Sequence, residues 1–150
     1  MKRILCTGGA GYLGSVLVPM LLEAGHWVTV VDNFMYGQNS LAGCCHNSRL
    51  SVLRGDARSE MTVLLRTHDA VIALAAVVGA PACVRDKRAA VSTNFAAITS
   101  LCDSLSKDQI LIYPNTNSGY GVGGEALCTE ETPMRPVSLY GVTKVDAERR

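Results

Sequence analysis

Apolar residues along this chain follow two alternating patterns: short continuous runs, and longer segments with helical spacing. The runs Arg3–Thr7, Trp27–Asp32, Leu50–Arg54, Ala70–Ala75 and Gln109–Pro114 are of strand length and rich in Val, Ile, Leu and Ala, which predicts five strands, the first of them short and buried. Between the first two, Tyr12–Ala24 has helical spacing at Leu13, Val16, Leu17 and Leu21, and Gly25 follows as a C-cap. Pro19 lies inside that segment, removes a backbone donor and is expected to bend the helix. Glu60–Arg66 predicts a short helix and Lys87–Leu105 a long one. Phe34–Arg49 reads as a loop, and Ser118–Pro136 as glycine-rich and irregular. A last helix is predicted to begin near Ser138 and to be still running at Arg150.

Strands alternating with helices imply βαβ units and a parallel sheet. The expected fold class is α/β: a Rossmann-like, doubly wound parallel sheet in strand order 3-2-1-4-5, with helices on both faces and right-handed crossovers. Ligands of such a sheet bind beyond the carboxyl ends of the strands, at the switch between strands one and four. Residues 1–150 suffice for one domain. An end inside an uncapped helix suggests a fragment, truncated in that last helix.

Composition narrows the class of function. Hydrophobic residues make up 48% and charged residues 18%, enough apolar material for a core and a departure from disordered composition. Lys plus Arg number 14 against 13 for Asp plus Glu, so no net charge draws the chain to nucleic acid or a membrane surface. No apolar run approaches the roughly 18 residues of a membrane span, and Met1-Lys2-Arg3 is followed by too short an apolar stretch for a signal peptide. A cytoplasmic location is the expectation. The six cysteines form no C-x-x-C pair and the three histidines have no partner pattern, so reduced structural thiols are expected and a metal site is not.

The chemistry begins at Thr7-Gly8-Gly9-Ala10-Gly11-Tyr12-Leu13-Gly14. Gly9-x-Gly11-x-x-Gly14 follows a predicted strand and opens a predicted helix, the context in which this pattern binds a dinucleotide. One glycine allows the tight turn, the next lets the backbone approach a pyrophosphate, and the last lets helix and strand pack closely. The phosphates then rest on a helix N-terminus, where free N–H groups and the helix dipole favour negative charge. Asp32 ends the second strand, 18 residues after Gly14. A carboxylate there accepts hydrogen bonds from the adenosine ribose and repels a 2′-phosphate. No Lys or Arg follows until Arg49, which favours NAD over NADP.

Tyr140-Gly141-Val142-Thr143-Lys144 sets Tyr and Lys four apart, on one face of the last helix. A free tyrosine has a pKa of about 10, so service as a base near neutrality needs a drop of roughly three units, or about 4 kcal/mol. An ammonium about 4 Å away at an effective dielectric of about 20 supplies about 4 kcal/mol. One lysine therefore provides most of the shift.

With these motifs in order, the chain resembles the extended short-chain dehydrogenases/reductases, within the NAD-dependent epimerase/dehydratase group that acts on nucleotide sugars. The resemblance spans the whole chain and rests on Thr7-Gly8-x-x-Gly11-x-x-Gly14, Asp32-Asn33, Gly55-Asp56, Leu74-Ala75-Ala76, Asn94, Thr116-x-x-x-Tyr120-Gly121 and Tyr140-x-x-x-Lys144. It implies that Gly8, Gly11, Tyr12, Leu13 and Gly14 meet the pyrophosphate and that Asp32 and Asn33 hold the ribose. Asp56 and Ala57 would sit at the adenine, Leu74, Ala75 and Ala76 under the cofactor, and Asn94 near the nicotinamide. Tyr140 would be the general base, Lys144 its electrostatic partner and a ligand of the nicotinamide ribose, and Thr116 a hydrogen-bond partner of the reacting hydroxyl.

The implied reaction removes a sugar hydroxyl proton while hydride leaves the same carbon for NAD; an epimerase returns the hydride to the other face. The 4,6-dehydratases of the group carry Asp-Glu directly after the catalytic Thr, whereas this chain has Asn117-Ser118, which disfavours dehydration. Epimerisation, or simple oxidation or reduction of a nucleotide sugar, is favoured. Gly119 departs from the aliphatic residue common before Tyr120. The resemblance implies members about twice this length, whose C-terminal part binds the nucleotide sugar. The chain would then be an N-terminal cofactor half, inactive by itself, with possible dimerisation through the long helix and the Tyr–Lys helix. The alternative is a non-catalytic NAD-binding regulatory module.

Overall fold

The computed structural model describes residues 1–59, 61–122 and 127–150. Five parallel strands form one sheet: β1 (Arg3–Thr7), β2 (Trp27–Asp32), β3 (Leu50–Arg54), β4 (Ala70–Ala73) and β5 (Ile110–Ile112), in the order β3-β2-β1-β4-β5. The helices are α1 (Tyr12–Glu23), α2 (Thr62–Leu65), α3 (Ala80–Arg85), α4 (Lys87–Val91), α5 (Ala97–Ser104) and α6 (Leu139–Glu148). A π-helical turn, Ser92–Ala96, joins α4 to α5, and 3-10 turns form at Ala42–Cys44 and Asn117–Tyr120. No helix is long and apolar enough to cross a membrane, among the described residues.

The chain forms two compact units, Met1–Ala75 with Asp103–Tyr113, and Ala76–Cys102 with Pro114–Arg150. The first contains the whole sheet. On one face, Ile4 and Cys6 of β1, Val28 and Val30 of β2, and Ala70 and Ile72 of β4 pack against Val18 and Leu22 of α1 and against Leu41. Leu5 and Val71, which point to the opposite face by strand alternation, are also fully buried. Burial on both faces explains why these strands read as continuous apolar runs rather than alternating ones. Burying side chains of this size contributes about 1.5–3 kcal/mol each.

The first three strands coincide with their predicted limits; the last two are shorter. Beyond Ala73 only Leu74 continues the pattern, donating to the Thr7 carbonyl at 2.9 Å. Before Ile110, Gln109 turns its side-chain amide to the carbonyls of Leu65 (2.6 Å) and His68 (2.8 Å). Of the predicted helix Glu60–Arg66, Thr62–Leu65 is helical, while Glu60 lies outside the described residues, as do residues 123–126 of the predicted irregular stretch.

Three expectations are corrected. The fully buried residues of α1 are Gly14, Val18 and Leu22; of the expected positions, Leu17 and Leu21 pack half-buried against the core, whereas Leu13 and Val16 are exposed. The cause is Gly14, whose absent Cβ would lie 2.0 Å from the Gly9 carbonyl oxygen; that approach fixes the helix's rotation and brings positions four apart onto the sheet. The last helix ends at Glu148 with Arg149 as its cap, rather than running through Arg150. Helix α3, with Pro81 in its first turn, has no counterpart among the predicted elements.

Candidate functional site

In the first unit, the residues after β1 form a tight loop. Gly8 adopts φ +69°, and a Cβ there would lie 2.5 Å from the Ala75 nitrogen. The tight-turn glycine is therefore Gly8, not Gly9, the first glycine of the sequence pattern. Gly9 instead packs on the side chains of Cys6 and Val30. Gly11 is the N-cap of α1, with no side-chain cap and no acidic residue in the first turn. The first-turn N–H groups have no partner within the helix, so this uncapped N-terminus suits an anion. Tyr12 and Leu13, in that turn, are exposed.

Asp32, at the end of β2, is buried. Its Oδ2 accepts from the Ala10 N–H at 3.0 Å, and its Oδ1 accepts from the Phe34 N–H at 2.8 Å and the Gln38 amide at 3.2 Å. An ionised carboxylate has about four acceptor directions, so one remains for a sugar hydroxyl. Asn33 is exposed and caps the Met35 N–H at 3.1 Å. Phe34 takes φ +54°, uncommon for a bulky residue, and is held there by its N–H bond to Asp32 and by packing on the core. Ser40 closes the loop onto the glycine turn, donating to the Ala10 carbonyl at 2.5 Å. Gln38 and Ser40 carry no motif, and sequence reasoning missed both.

Gly55 donates to the Asp32 carbonyl at 2.9 Å, so Asp56 and Ala57 follow directly beyond the end of β3. The Arg58 guanidinium beside Asp56 holds its carboxyl below the usual carboxylate range. Leu74 and Ala75 continue from β4 beneath Gly8. Cys6 is a core thiol, pushed up to about 12 first by burial and then by the nearby Asp32 charge, and so stays neutral.

In the second unit, Ser138 caps α6 by accepting from the Gly141 N–H at 3.1 Å. Tyr140 is half-buried, while Lys144 is buried and its ammonium is lowered by burial from 10.5 to about 8. With that value the amine remains about nine-tenths protonated at neutral pH. Thr116 caps the turn Asn117–Tyr120, its Oγ1 accepting from the Ser118 N–H at 3.2 Å, which leaves its own proton able to donate. The turn rests on α6 through two glycines. A Cβ at Gly119 would lie 2.9 Å from the Val145 Cγ2, and one at Gly141 2.6 Å from the Ser118 carbonyl oxygen. The aliphatic residue usual at position 119 would not fit against Val145, which accounts for the departure noted in the sequence.

Asn94, in the π-helical turn, is buried. It clasps the backbone of Val77, accepting from its N–H at 2.8 Å and donating to its carbonyl at 2.9 Å. Its second amide hydrogen reaches the Thr143 Oγ1 at 3.4 Å. Asn94 is thus no helix-surface residue; its side chain ties the loop after Ala76 to the helix of Tyr140 and Lys144. Cys83 joins the same clasp, its thiol 3.3 Å from the Val77 carbonyl. Thr143 and Cys83 had no sequence signal. Among the described residues, no three His, Cys, Asp or Glu side chains gather as metal ligands.

A parallel sheet in this order, with a glycine turn opening its first helix and an acid ending its second strand, defines a Rossmann-type dinucleotide-binding fold. The chain belongs to the NAD dependent epimerase/dehydratase family, whose profile matches residues 4–149. It is 32% identical, over 95% of its length, to a UDP-N-acetyl-alpha-D-glucosaminuronate decarboxylase of Bacillus cytotoxicus, covering 43% of that protein. To UDP-glucose 4-epimerase 3 of Oryza sativa subsp. japonica it is 30% identical over 97% of its length, covering 42% of that protein. Its fold matches a UDP-glucuronic acid 4-epimerase of Bacillus cereus, solved with UDP-glucuronic acid and NAD, with a TM-score of 0.89 and 29% identity. That match covers 98% of this chain and 50% of the other. The chain spans less than half the length of the two curated relatives named.

Proposed function

We propose that this chain is the cofactor-binding and proton-transferring part of an NAD-dependent nucleotide-sugar epimerase. The observation that carries the reading is the seating of the Thr116 turn on the Tyr140–Lys144 helix through Gly119 and Gly141, in a chain whose first unit is a dinucleotide cradle. Gly8, Gly11, Tyr12, Leu13 and Gly14 would hold the pyrophosphate, Asp32 and Asn33 the ribose, and Asp56 and Ala57 the adenine. Leu74, Ala75 and Ala76 would pass under the cofactor, with Asn94 acting through the Val77 loop. The cradle fits such a ligand: an uncapped helix start meets the phosphates, and Asp32 has one acceptor direction left.

NAD, when bound, supplies the hydride acceptor and later the donor for the sugar carbon. Tyr140 takes the proton of the sugar hydroxyl, Lys144 favours its phenolate by charge and binds the nicotinamide ribose, and Thr116 donates to the developing alkoxide. Asn117 and Ser118 offer no carboxylate for eliminating water, which supports epimerisation over dehydration. A non-catalytic NAD-binding module would have no use for Thr116, Tyr140 and Lys144 together. The exposed Val91 and Val142 support a homodimer contact through the long helix and the Tyr–Lys helix. We read the protein as cytoplasmic, and residues 1–150 by themselves as unable to turn over a sugar.

The test is to give the intact protein NAD and UDP-hexoses or UDP-hexuronates and follow the sugar by NMR. Inversion of one carbinol carbon without net accumulation of reduced cofactor is expected. Net reduced cofactor would indicate a dehydrogenase, and no turnover of any nucleotide sugar would remove the reading.

A further inference from the structure

Thr116 is held along the chain from both sides. After it, the turn Asn117–Tyr120 sits on α6 through Gly119 and Gly141. Before it stands Asn115, whose side-chain amide holds two groups at once. Its Oδ1 accepts from the Thr116 N–H at 2.9 Å, and its Nδ2 donates to Oε2 of the Glu148 carboxylate. A backbone N–H only donates and a carboxylate oxygen accepts, so one orientation of the amide serves both partners and the flipped one serves neither.

Glu148 is the last residue of α6. It stands four residues after Lys144 and eight after Tyr140, which sets the three along one face of the helix. The helix of the proposed base and its ammonium partner therefore also reaches the segment that carries Thr116. Between the two attachments, the Thr116 Oγ1 accepts from the Ser118 N–H at 3.2 Å, so its own proton is the group left to aim. Glu148 is exposed and Asn115 half-buried, and a hydrogen bond to an exposed carboxylate contributes little to stability. Its effect is on direction: an amide engaged at both ends cannot turn over without losing both partners.

We propose that Asn115 and Glu148 are positioning residues for Thr116: the Glu148 carboxylate holds the Asn115 amide, and the amide holds the Thr116 backbone so that its hydroxyl meets the oxygen of the reacting sugar carbinol. The inference deepens the epimerase reading above and rests on it. Both residues act through Thr116, without touching the sugar or the dinucleotide. A misplacement of about 1 Å in such a donor costs up to about 10²-fold in rate.

The experiment gives the intact protein NAD and the UDP-hexoses and UDP-hexuronates of the test above, and measures rates by NMR on the sugar that the wild type inverts. Glu148→Ala and Asn115→Ala should each lower kcat about tenfold, with KM, NAD affinity and the urea midpoint close to those of the wild type. Glu148→Gln keeps an oxygen that accepts from Nδ2 and should recover most of the rate. Asn115→Asp can still accept from Thr116 but has no amide hydrogen for Glu148, and should be as slow as Asn115→Ala. Thr116→Val should cost about 10²-fold, as loss of a donor to the developing alkoxide does. Adding Glu148→Ala to it should cost nothing more, because the hydroxyl that Glu148 aims is gone. A merely structural role would slow the Thr116→Val protein by the same further factor. That further loss, a Glu148→Ala rate equal to the wild type's, or a Glu148→Gln rate no better than that of Glu148→Ala overturns the positioning role and leaves the epimerase reading standing. A wild type that inverts none of the sugars overturns the reading and the proposal with it.

Discussion

The two compact units carry their chemistry by different means. In the first, the backbone would meet the ligand: the glycine turn, the bare start of α1 and the strand ends are fixed by parallel pairing, and side chains such as Asp32 and Ser40 hold the loops against one another. In the second, side chains would do the work, and close packing of a turn on a helix aims them. A backbone site tolerates most changes of side chain but no added atom at its tight contacts. A side-chain site tolerates repacking but not the loss of one functional group.

Gly14→Ala should therefore have the largest effect. Its Cβ would meet Gly9 backbone, which cannot swing aside, at 2.0 Å. We expect a loss of about 4 kcal/mol or more, or failure to fold, in urea unfolding followed by circular dichroism. Gly43→Ala, with nothing within 4 Å of its Cβ, should change little and serves as the control. Unfolding midpoints that coincide for the two variants would refute the account of how α1 is set on the sheet.

Tyr140→Phe tests the other half of the contrast. It removes one oxygen from a half-buried ring and leaves the packing of α6 intact. Turnover of nucleotide sugar by the intact protein should fall about 10²- to 10⁴-fold, the usual worth of a general acid–base group, with NAD affinity and unfolding midpoint unchanged. A fall in NAD affinity of the same size would mean that the ring serves binding rather than proton transfer.

The sequence exposed the backbone site better than the side-chain site, and for a physical reason. Strand pairing and glycine turns depend on neighbours in sequence, so β1, β2, β3 and the loop before α1 could be delimited from local pattern alone. The rotation of α1 could not, because it depends on a contact between Gly14 and Gly9 across a turn; the apolar residues Leu13 and Val16 suggested the wrong face. The fasteners of the second unit were less visible still. Asn94 reaches Val77, 17 residues away, and Thr143, 49 residues away. Neither distance leaves a periodic trace. Arg58 could have been suspected from its charge two residues after Asp56, but its ion pair with that residue is seen only with coordinates.

Asp32→Asn should have a smaller effect than the first two variants. The amide oxygen can still accept from Ala10, so the loop should hold, while the charge proposed to meet the ribose hydroxyls is lost. NAD affinity should fall about tenfold, and NADP, no longer repelled at its 2′-phosphate, should lose less. Calorimetry with both cofactors checks this; equal losses for the two would separate Asp32 from the ribose.

The remaining expected effect is in the second unit, on stability rather than rate. Burial lowers Lys144 from 10.5 to about 8 in the folded chain, while an unfolded lysine keeps its proton to about 10.5. Between those two values the unfolded state binds more protons, so the linkage contribution makes stability rise with pH across that window. Below about pH 8 the buried ammonium opposes folding in full. Lys144→Met carries no proton to lose and should flatten the rise, as seen by urea unfolding at pH 7 and at pH 10. The two measurements together separate structure from chemistry at this residue. The ammonium that should assist Tyr140 at neutral pH is the same charge that weakens the fold there, so the methionine variant should be more stable at pH 7 and poorer in turnover. A methionine variant as pH-dependent as the wild type would show that the rise originates elsewhere in the chain.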